Sequence, residues 1–246
     1  MRRVPRIALL VGLTVGLTAA SVPVLRGGWA ILTVHDLPAS LEVGRQTTLQ
    51  FSLRQHGEEL MSGRAPVLQV RSGGALLGDR REYPAERTRQ PGVYRVTFTP
   101  SEVGELRLSV DTDYHGWVAR LLPMTVEARV VATAANGGRV ATAAASGGAH
   151  SAEQRGRALF VAKGCVGCHT KNDDAALKDF HEMRVGPDLT GRSYPAQWLV
   201  QKITDPASLR PEGPRAMNIM PQLEVSAAEA QAIASYLNAR AVASRE

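Results

Sequence analysis

The two cysteines of the chain, Cys165 and Cys168, are separated by two residues and followed at once by His169. This C-x-x-C-H spacing is typical of c-type haem attachment, because two thiols one turn apart can bond the two vinyl groups of one haem while the adjacent imidazole ligates the iron. A disulfide, a thioredoxin-like redox pair and a zinc site are the alternatives. The adjacent histidine and the lack of other cysteines favour one covalent haem c.

The second axial ligand decides what such an iron can do. Two side-chain ligands favour electron transfer, whereas an open position allows a haem-based sensor or an open-site haem enzyme. We predict Met220, which precedes Pro221, as the axial ligand opposite His169, and keep Met217 as the competing candidate. A lone methionine usually packs in a core, so this prediction depends on the C-x-x-C-H motif. His181 and Met183 lie too near the cysteines in sequence to cross the haem.

The elements that must position these residues have helical patterns from residue 152 onwards. A first helix over 152–163 runs into the cysteine motif. A middle helix opens with Pro195 in its first turn, where proline is tolerated, and ends at Pro206. Ser226 followed by Glu229 forms a capping box, which predicts the start of the last helix.

The last hundred residues also carry a series of short motifs around these helices: Gly156, Phe160, Gly164-Cys165-Val166-Gly167-Cys168-His169, Gly186-Pro187-Asp188-Leu189, Trp198-Leu199, Asp205-Pro206, Met220-Pro221, Ser226, Glu229 and Tyr236-Leu237. Together they resemble the class I cytochrome c family over residues 155–238. The resemblance implies an all-α, mono-haem domain that transfers single electrons and is not an enzyme.

The resemblance also assigns roles to individual residues. It implies that Gly156 and Phe160 pack against Tyr236. It implies that the carbonyl of Pro187 accepts a hydrogen bond from the ligand histidine, which orients the imidazole ring and strengthens it as a ligand. Ligation by histidine and methionine raises the reduction potential. The additional Met217 departs from the family pattern.

The region before the helices has a different periodicity. Over residues 29–129, hydrophobic side chains alternate with polar ones in several short runs, such as Leu49-Gln50-Phe51-Ser52-Leu53, and glycine-containing turns separate the runs. A period of two with one polar face indicates half-buried antiparallel strands. We predict an all-β, immunoglobulin-like sandwich of about seven strands.

The sequence of this β-domain contains fewer indications of function. The segment from Trp29 to Gly104 resembles the YtkA-like exported β-sandwich domains. Residues 29–128 contain no cysteine, which excludes a thiolate copper centre. A copper-handling module remains a hypothesis, because four residues could hold copper: His35, His56, Met61 and His115. No two of them have tight ligand spacing, so we interpret the histidines as unrelated surface residues and the domain as a binding or docking module.

The N-terminus predicts where the protein acts. Residues 7–25 contain no charged side chain and follow Arg2, Arg3 and Arg6. Both a cleaved signal peptide and an uncleaved membrane anchor fit residues 1–28. Either places the rest of the chain in the periplasm or on the outer face of the cytoplasmic membrane. Without these arginines and Arg26, the net charge falls from +6 to +2, and no basic run indicates nucleic acid.

These observations predict four segments: residues 1–28, the β-domain 29–129, an Ala/Gly/Thr-rich flexible linker 130–151, and the cytochrome c domain 152–246. We expect an exported or membrane-anchored electron-transfer protein. Its expected partner is a redox protein, namely a membrane oxidase or reductase.

Overall fold

The structure is a computed structural model of the 246-residue chain. It describes residues 28–73, 80–129, 152–180, 183–209 and 220–243. The predicted signal or anchor, the predicted linker, His181 and Met217 lie outside these residues. Of the helices in the described part, none combines the length and hydropathy that crossing a membrane requires.

The N-terminal domain contains the predicted alternating strands in two packed sheets. The described residues include eleven strands: β1 (Ala30–Val34), β2 (Leu41–Glu42), β3 (Thr47–Gln55), β4 (Glu59–Leu60), β5 (Val67–Ser72), β6 (Arg80–Pro84), β7 (Glu86–Arg87), β8 (Val93–Phe98), β9 (Gly104–Asp111), β10 (Val118–Arg120) and β11 (Met124–Glu127). One sheet has the order β1-β3-β8-β7, with β4 also on β3. The other has the order β2-β11-β9-β5-β6, with β10 also on β9.

The strand periodicity explains how the two sheets share a core. In β3, β8 and β9, the apolar residues of each alternating run are buried, because successive side chains point to opposite faces of a strand. All strand pairs are antiparallel except β2 with β11. The rings of Tyr83 and Phe98, 6.1 Å apart, join the sheets. The β-rich fold is confirmed, and its immunoglobulin-like type stays a prediction.

The edge strand β1 differs from the others because both of its faces are buried. The first face belongs to the sandwich core and carries Ala30, Leu32 and Val34. The opposite face carries Ile31 and Thr33, which are 3% and 0% exposed. This second face lies against the C-terminal domain, as described below.

The C-terminal domain is helical, as predicted, with α1 (Ala152–Ala162), α2 (Ala196–Thr204) and α3 (Ala227–Ala243). Pro195 stands one residue before α2, as its N-cap. The predicted capping box is present at α3. The backbone N–H of Ser226 donates to Glu229 Oε2 at 2.9 Å, and that of Glu229 donates to Ser226 Oγ at 3.3 Å. These bonds satisfy donors that the first turn of a helix leaves free.

Helices α1 and α3 approach closely at Gly156. A Cβ atom built there would lie 2.0 Å from the carbonyl oxygen of Ala232 and 2.7 Å from Tyr236 Cβ. Only glycine therefore fits this crossing. The ring of Phe160 packs against that of Tyr236 one turn further along, with centroids 5.8 Å apart.

We predict that Gly156→Val destabilises the C-terminal domain by about 3 kcal/mol, the upper end of the cost of overpacking a core. The new side chain would collide first with the backbone carbonyl of Ala232, which cannot rotate away as a side chain could. Urea unfolding of the haem-loaded protein, followed through haem absorption, measures this change. The control is Gln231→Ala on the exposed side of α3, which should leave the midpoint almost unchanged. Equal midpoints for Gly156→Val and the control would contradict the predicted crossing.

Candidate haem site

The cysteine motif forms a tight turn directly after α1. Gly164 has a φ of 81°, which favours glycine, and a 3₁₀ turn follows over Cys165–Gly167. The backbone N–H groups of Cys168 and His169 both donate to the carbonyl of Cys165, at 3.1 and 2.9 Å. This turn brings the two cysteines and the histidine into one compact loop. Neither cysteine forms a disulfide.

The thiols lack the activation that a redox pair requires. Burial, together with the neighbouring Cys168, raises the pKa of Cys165 to about 12. Burial also raises the pKa of Cys168. A thioredoxin-like pair depends instead on a lowered thiol pKa. The environment therefore does not fit a thioredoxin-like redox pair.

His169 is oriented for ligation. Its Nδ1 lies 3.0 Å from the carbonyl oxygen of Pro187. Burial lowers the pKa of His169, although this hydrogen bond raises it, so the ring is neutral near pH 7. A neutral ring that donates from Nδ1 to a carbonyl leaves the lone pair of Nε2 to a metal.

Gly186 provides the space in which the ring of His169 lies. A Cβ atom at Gly186 would be 2.7 Å from His169 Cε1 and 3.1 Å from the carbonyl oxygen of Cys168. The N–H of Gly186 donates to that same carbonyl at 2.9 Å. The segment from Gly186 to Pro187 is thus a cradle for the imidazole, and the residues present fit a covalently held haem.

The methionine candidates lie in different places. Met220 is partly buried against the hydrophobic core and is followed by Pro221. Met183 lines a cleft of about 430 Å³ together with residues of the β-domain, among them Trp29, His115 and Trp117. Met217 and His181 are outside the described residues, so the choice of Met220 as the axial ligand stays a prediction.

A buried polar cluster supports the core behind the loop. The hydroxyl of Tyr236 donates to Asp174 Oδ2 at 2.9 Å, and Arg157 forms an ion pair with the same oxygen at 2.7 Å. Burial and the negative charge of Asp174 raise the pKa of Tyr236. The tyrosine of the last helix is therefore fixed both by its ring and by its hydroxyl.

The residue before the motif, Lys163, links three parts of the molecule. Its side chain is 1% exposed. The ammonium donates to the carbonyl of His35 at 2.8 Å and to that of Glu224 at 3.0 Å, and it pairs with Glu229 Oε1 at 2.9 Å. A buried lysine needs such partners, because an unpaired charge in the interior is costly. The end of β1, the segment after Met220 and the start of α3 therefore meet at one charge.

The second face of β1 packs on the cysteine loop. Cβ atoms built at Gly164 and Gly167 would lie 2.5 Å from Ile31 Cγ2 and 2.6 Å from Ile31 Cδ1. The side chain of Ile31 therefore packs in the space that the absence of side chains at these two glycines leaves. Thr33 Oγ1 donates to the carbonyl of Lys163 at 3.4 Å.

Strand β3 and the turn after it contact the segment that follows Met220. Arg54 pairs with Glu224 Oε1 at 2.6 Å, and Ser52 Oγ donates to Glu224 Oε2 at 3.1 Å. Burial alone would raise the pKa of Glu224. The hydrogen bond and the positive charge of Arg54 have the larger, opposite effect, so the pKa of Glu224 is lowered overall. A Cβ atom at Gly57 would lie 2.9 Å from Pro221 Cγ.

The histidines of the β-domain have other surroundings. His35 lies at the domain contact and His56 packs on Trp29, whereas His115 packs on Tyr114. Met61 is 7% exposed within the sandwich core. Among the described residues, no group of three or more His, Cys, Asp or Glu side chains could hold a metal ion.

The residues at the domain contact did not stand out in the sequence. Lys163, Arg54 and Glu224 read as ordinary surface charges, because their partners are far away in the chain. One signal was available: residues 29–34 are hydrophobic except for Thr33, and a nearly continuous apolar run indicates a strand that is buried on both faces.

Comparison with solved structures does not add to the account of the β-domain. The chain is similar to the Lin-41 filamin domain, with 21% identity over 40% of this chain and 91% of that chain and a TM-score of 0.32. It is also similar to superoxide reductase (neelaredoxin) from Ignicoccus hospitalis, with 13% identity over 41% of this chain and 82% of that chain and a TM-score of 0.27. FdeC, an Escherichia coli adhesin, is similar with 24% identity over 40% of this chain and 31% of that chain and a TM-score of 0.30. These TM-scores are too low to support an argument.

No curated protein matches the chain. The YtkA-like resemblance of the β-domain stays a prediction. The family model of cytochrome c, in contrast, matches residues 153–240, which contain α2, nearly all of α1, most of α3 and the C-x-x-C-H loop. Residues 153–240 therefore form a cytochrome c domain of class I, and this part of the chain belongs to that family.

Proposed function

We propose that the chain is an exported or membrane-anchored mono-haem cytochrome that exchanges single electrons with a membrane oxidase or reductase. Cys165 and Cys168 hold the haem covalently, and His169 and Met220 are its axial ligands. The observation that carries the proposal is the position of the His169 imidazole, whose Nδ1 lies 3.0 Å from the carbonyl oxygen of Pro187 within a C-x-x-C-H loop.

The haem supplies a reversible one-electron change between Fe(II) and Fe(III). The residues of the chain hold the ligands in place while the charge changes. Pro187 and Gly186 fix the ring plane of His169. A ligand that is held in one orientation keeps the same geometry in both oxidation states, as an electron carrier requires.

The extracytoplasmic location rests on the N-terminal sequence. An uncharged segment over residues 7–25 behind three arginines supports export, and covalent attachment retains the haem outside the cytoplasm. A respiratory complex on the same side of the membrane is the partner class that this location favours. In cells, the Cys165→Ala, Cys168→Ala variant should lose haem staining and slow respiration. Unchanged respiration would contradict the respiratory role.

We predict that Met220→Leu removes the weak far-red absorption band that methionine–iron ligation gives to an oxidised cytochrome. It should also lower the reduction potential by roughly 0.1 V, a fraction of the span that axial ligands cover. Absorption spectroscopy and a redox titration measure both effects. Met183→Leu and Met217→Leu are the matched controls. Loss of the band in Met217→Leu alone would assign the ligand to Met217, and absence of the band in the unmodified protein would favour a sensor or an open-site enzyme.

We predict that Gly186→Ala displaces the ring of His169 or the Pro187 segment, because the new methyl group would occupy the space of the imidazole. Overpacking of this kind should cost about 1–3 kcal/mol. Thermal unfolding of the oxidised, haem-loaded protein measures the loss. Gly63→Ala is the matched control, since a Cβ atom there meets nothing within 4 Å. An unchanged midpoint in Gly186→Ala would contradict the cradle.

A further inference from the structure

Arg155 of α1 donates to the carbonyls of Leu37 at 2.7 Å and Pro38 at 3.5 Å, and further contacts between the two domains fall on the two loops that carry the candidate axial ligands. On the histidine side, Ile31 is seated on Gly164 and Gly167, and the carbonyl of His35 accepts from Lys163 at 2.8 Å. His169 follows Gly167 by two residues. The β-domain therefore contacts the attachment loop itself as well as the start of α1.

The other loop is held from strand β3. Ser52 and Arg54 are alternate residues of β3, so they point to the same side of the sheet. Both bind the carboxylate of Glu224, four residues after Met220. Gly57 lies against Pro221, the residue next to Met220. Two points on the loop are thus fixed by the β-domain.

We propose that β1, β3 and the turn at Gly57 form a permanent clamp on both ligand loops, so that the β-domain is a structural part of the haem site and not a separately moving module. The proposal rests on the proposed function, in which His169 and Met220 are the axial ligands. Axial ligands lie on opposite faces of a haem, so a surface that holds both loops restrains the iron from both sides.

The burial pattern supports a permanent contact. Separation of the domains would expose Ile31 and Thr33, and it would remove the carbonyl of His35 from a lysine that is 1% exposed. Exposing this second face to water would cost hydrophobic free energy through Ile31.

The clamp makes Ile31, Arg54 and Glu224 positioning residues for the axial ligands. When the loop after Met220 loses its anchor, the methionine-bound state should become less favourable relative to the open one. An external ligand that competes with Met220 then binds more tightly, by the factor by which the open state gains population.

The first test uses the whole haem-loaded chain with a specific protease site inserted within residues 130–151 and cleaved after folding. We expect the two fragments to elute together in size-exclusion chromatography at micromolar concentration. Ile31→Ala should weaken their association by roughly 30-fold or more, as expected for a large-to-small change at a packed site. Val103→Ala, at a position that is 63% exposed, is the matched control.

The second test measures the binding of imidazole to the oxidised, uncleaved protein. Arg54→Ala and Glu224→Ala should each tighten imidazole binding by about fivefold, the effect of losing a half-buried ion pair. The double variant should add little, because both changes remove one interaction. Arg45→Ala, which breaks the exposed pair with Glu42, is the control and should have no effect.

Separation of the wild-type fragments after cleavage would overturn the proposal. So would co-elution combined with unchanged imidazole binding in the Ile31, Arg54 and Glu224 variants, because the contact would then not restrain the ligands. Failure of the proposed function has a different signature. If Met220→Leu leaves the far-red band unchanged, Met220 is not the ligand, while co-elution still reports on the domain contact.

Discussion

The buried ammonium of Lys163 is the interaction on which the arrangement of this protein depends. A charge in the interior is tolerated only when oxygens surround it, and here the oxygens come from His35, Glu224 and Glu229. Each lies in a different segment: the end of β1, the loop after Met220 and the first turn of α3. Removal of any of these segments would leave the charge incompletely paired, so the strand, the loop and the helix hold one another in place.

This arrangement relates the fold to electron transfer. The α1–α3 crossing at Gly156 and the capping box of α3 are properties of the cytochrome c domain itself. The cradle at Gly186 orients His169 within the same domain. The β-domain then adds contacts from outside, at Ile31 and Arg54. The haem site is therefore built in two layers, of which only the inner one belongs to the family.

Part of the inner layer could be predicted from local signals, whereas the contacts of Gly156 with Tyr236 and of Pro187 with His169 could be predicted only through the resemblance to the cytochrome c family. Ser226 and Glu229 are three residues apart, and the cysteines and His169 are within one loop. The alternation in β3 likewise needs only its own residues. The outer layer could not be predicted, since Lys163 and His35 are 128 positions apart. A single sequence does not indicate which distant carbonyl will meet a lysine that reads as a surface residue.

Gly167 shows what this layered construction means for the modularity of the chain. The position is one of the two inner residues of the C-x-x-C-H motif, whose chemistry requires no particular side chain there. In this protein Ile31 occupies the space beside it, at 2.6 Å from where a Cβ atom would lie. A cytochrome c domain grafted from another protein, with a larger residue at this position, would still attach its haem but would not dock. Although the two domains are separate in sequence, neither can be replaced by a related domain without regard to the residues of the other.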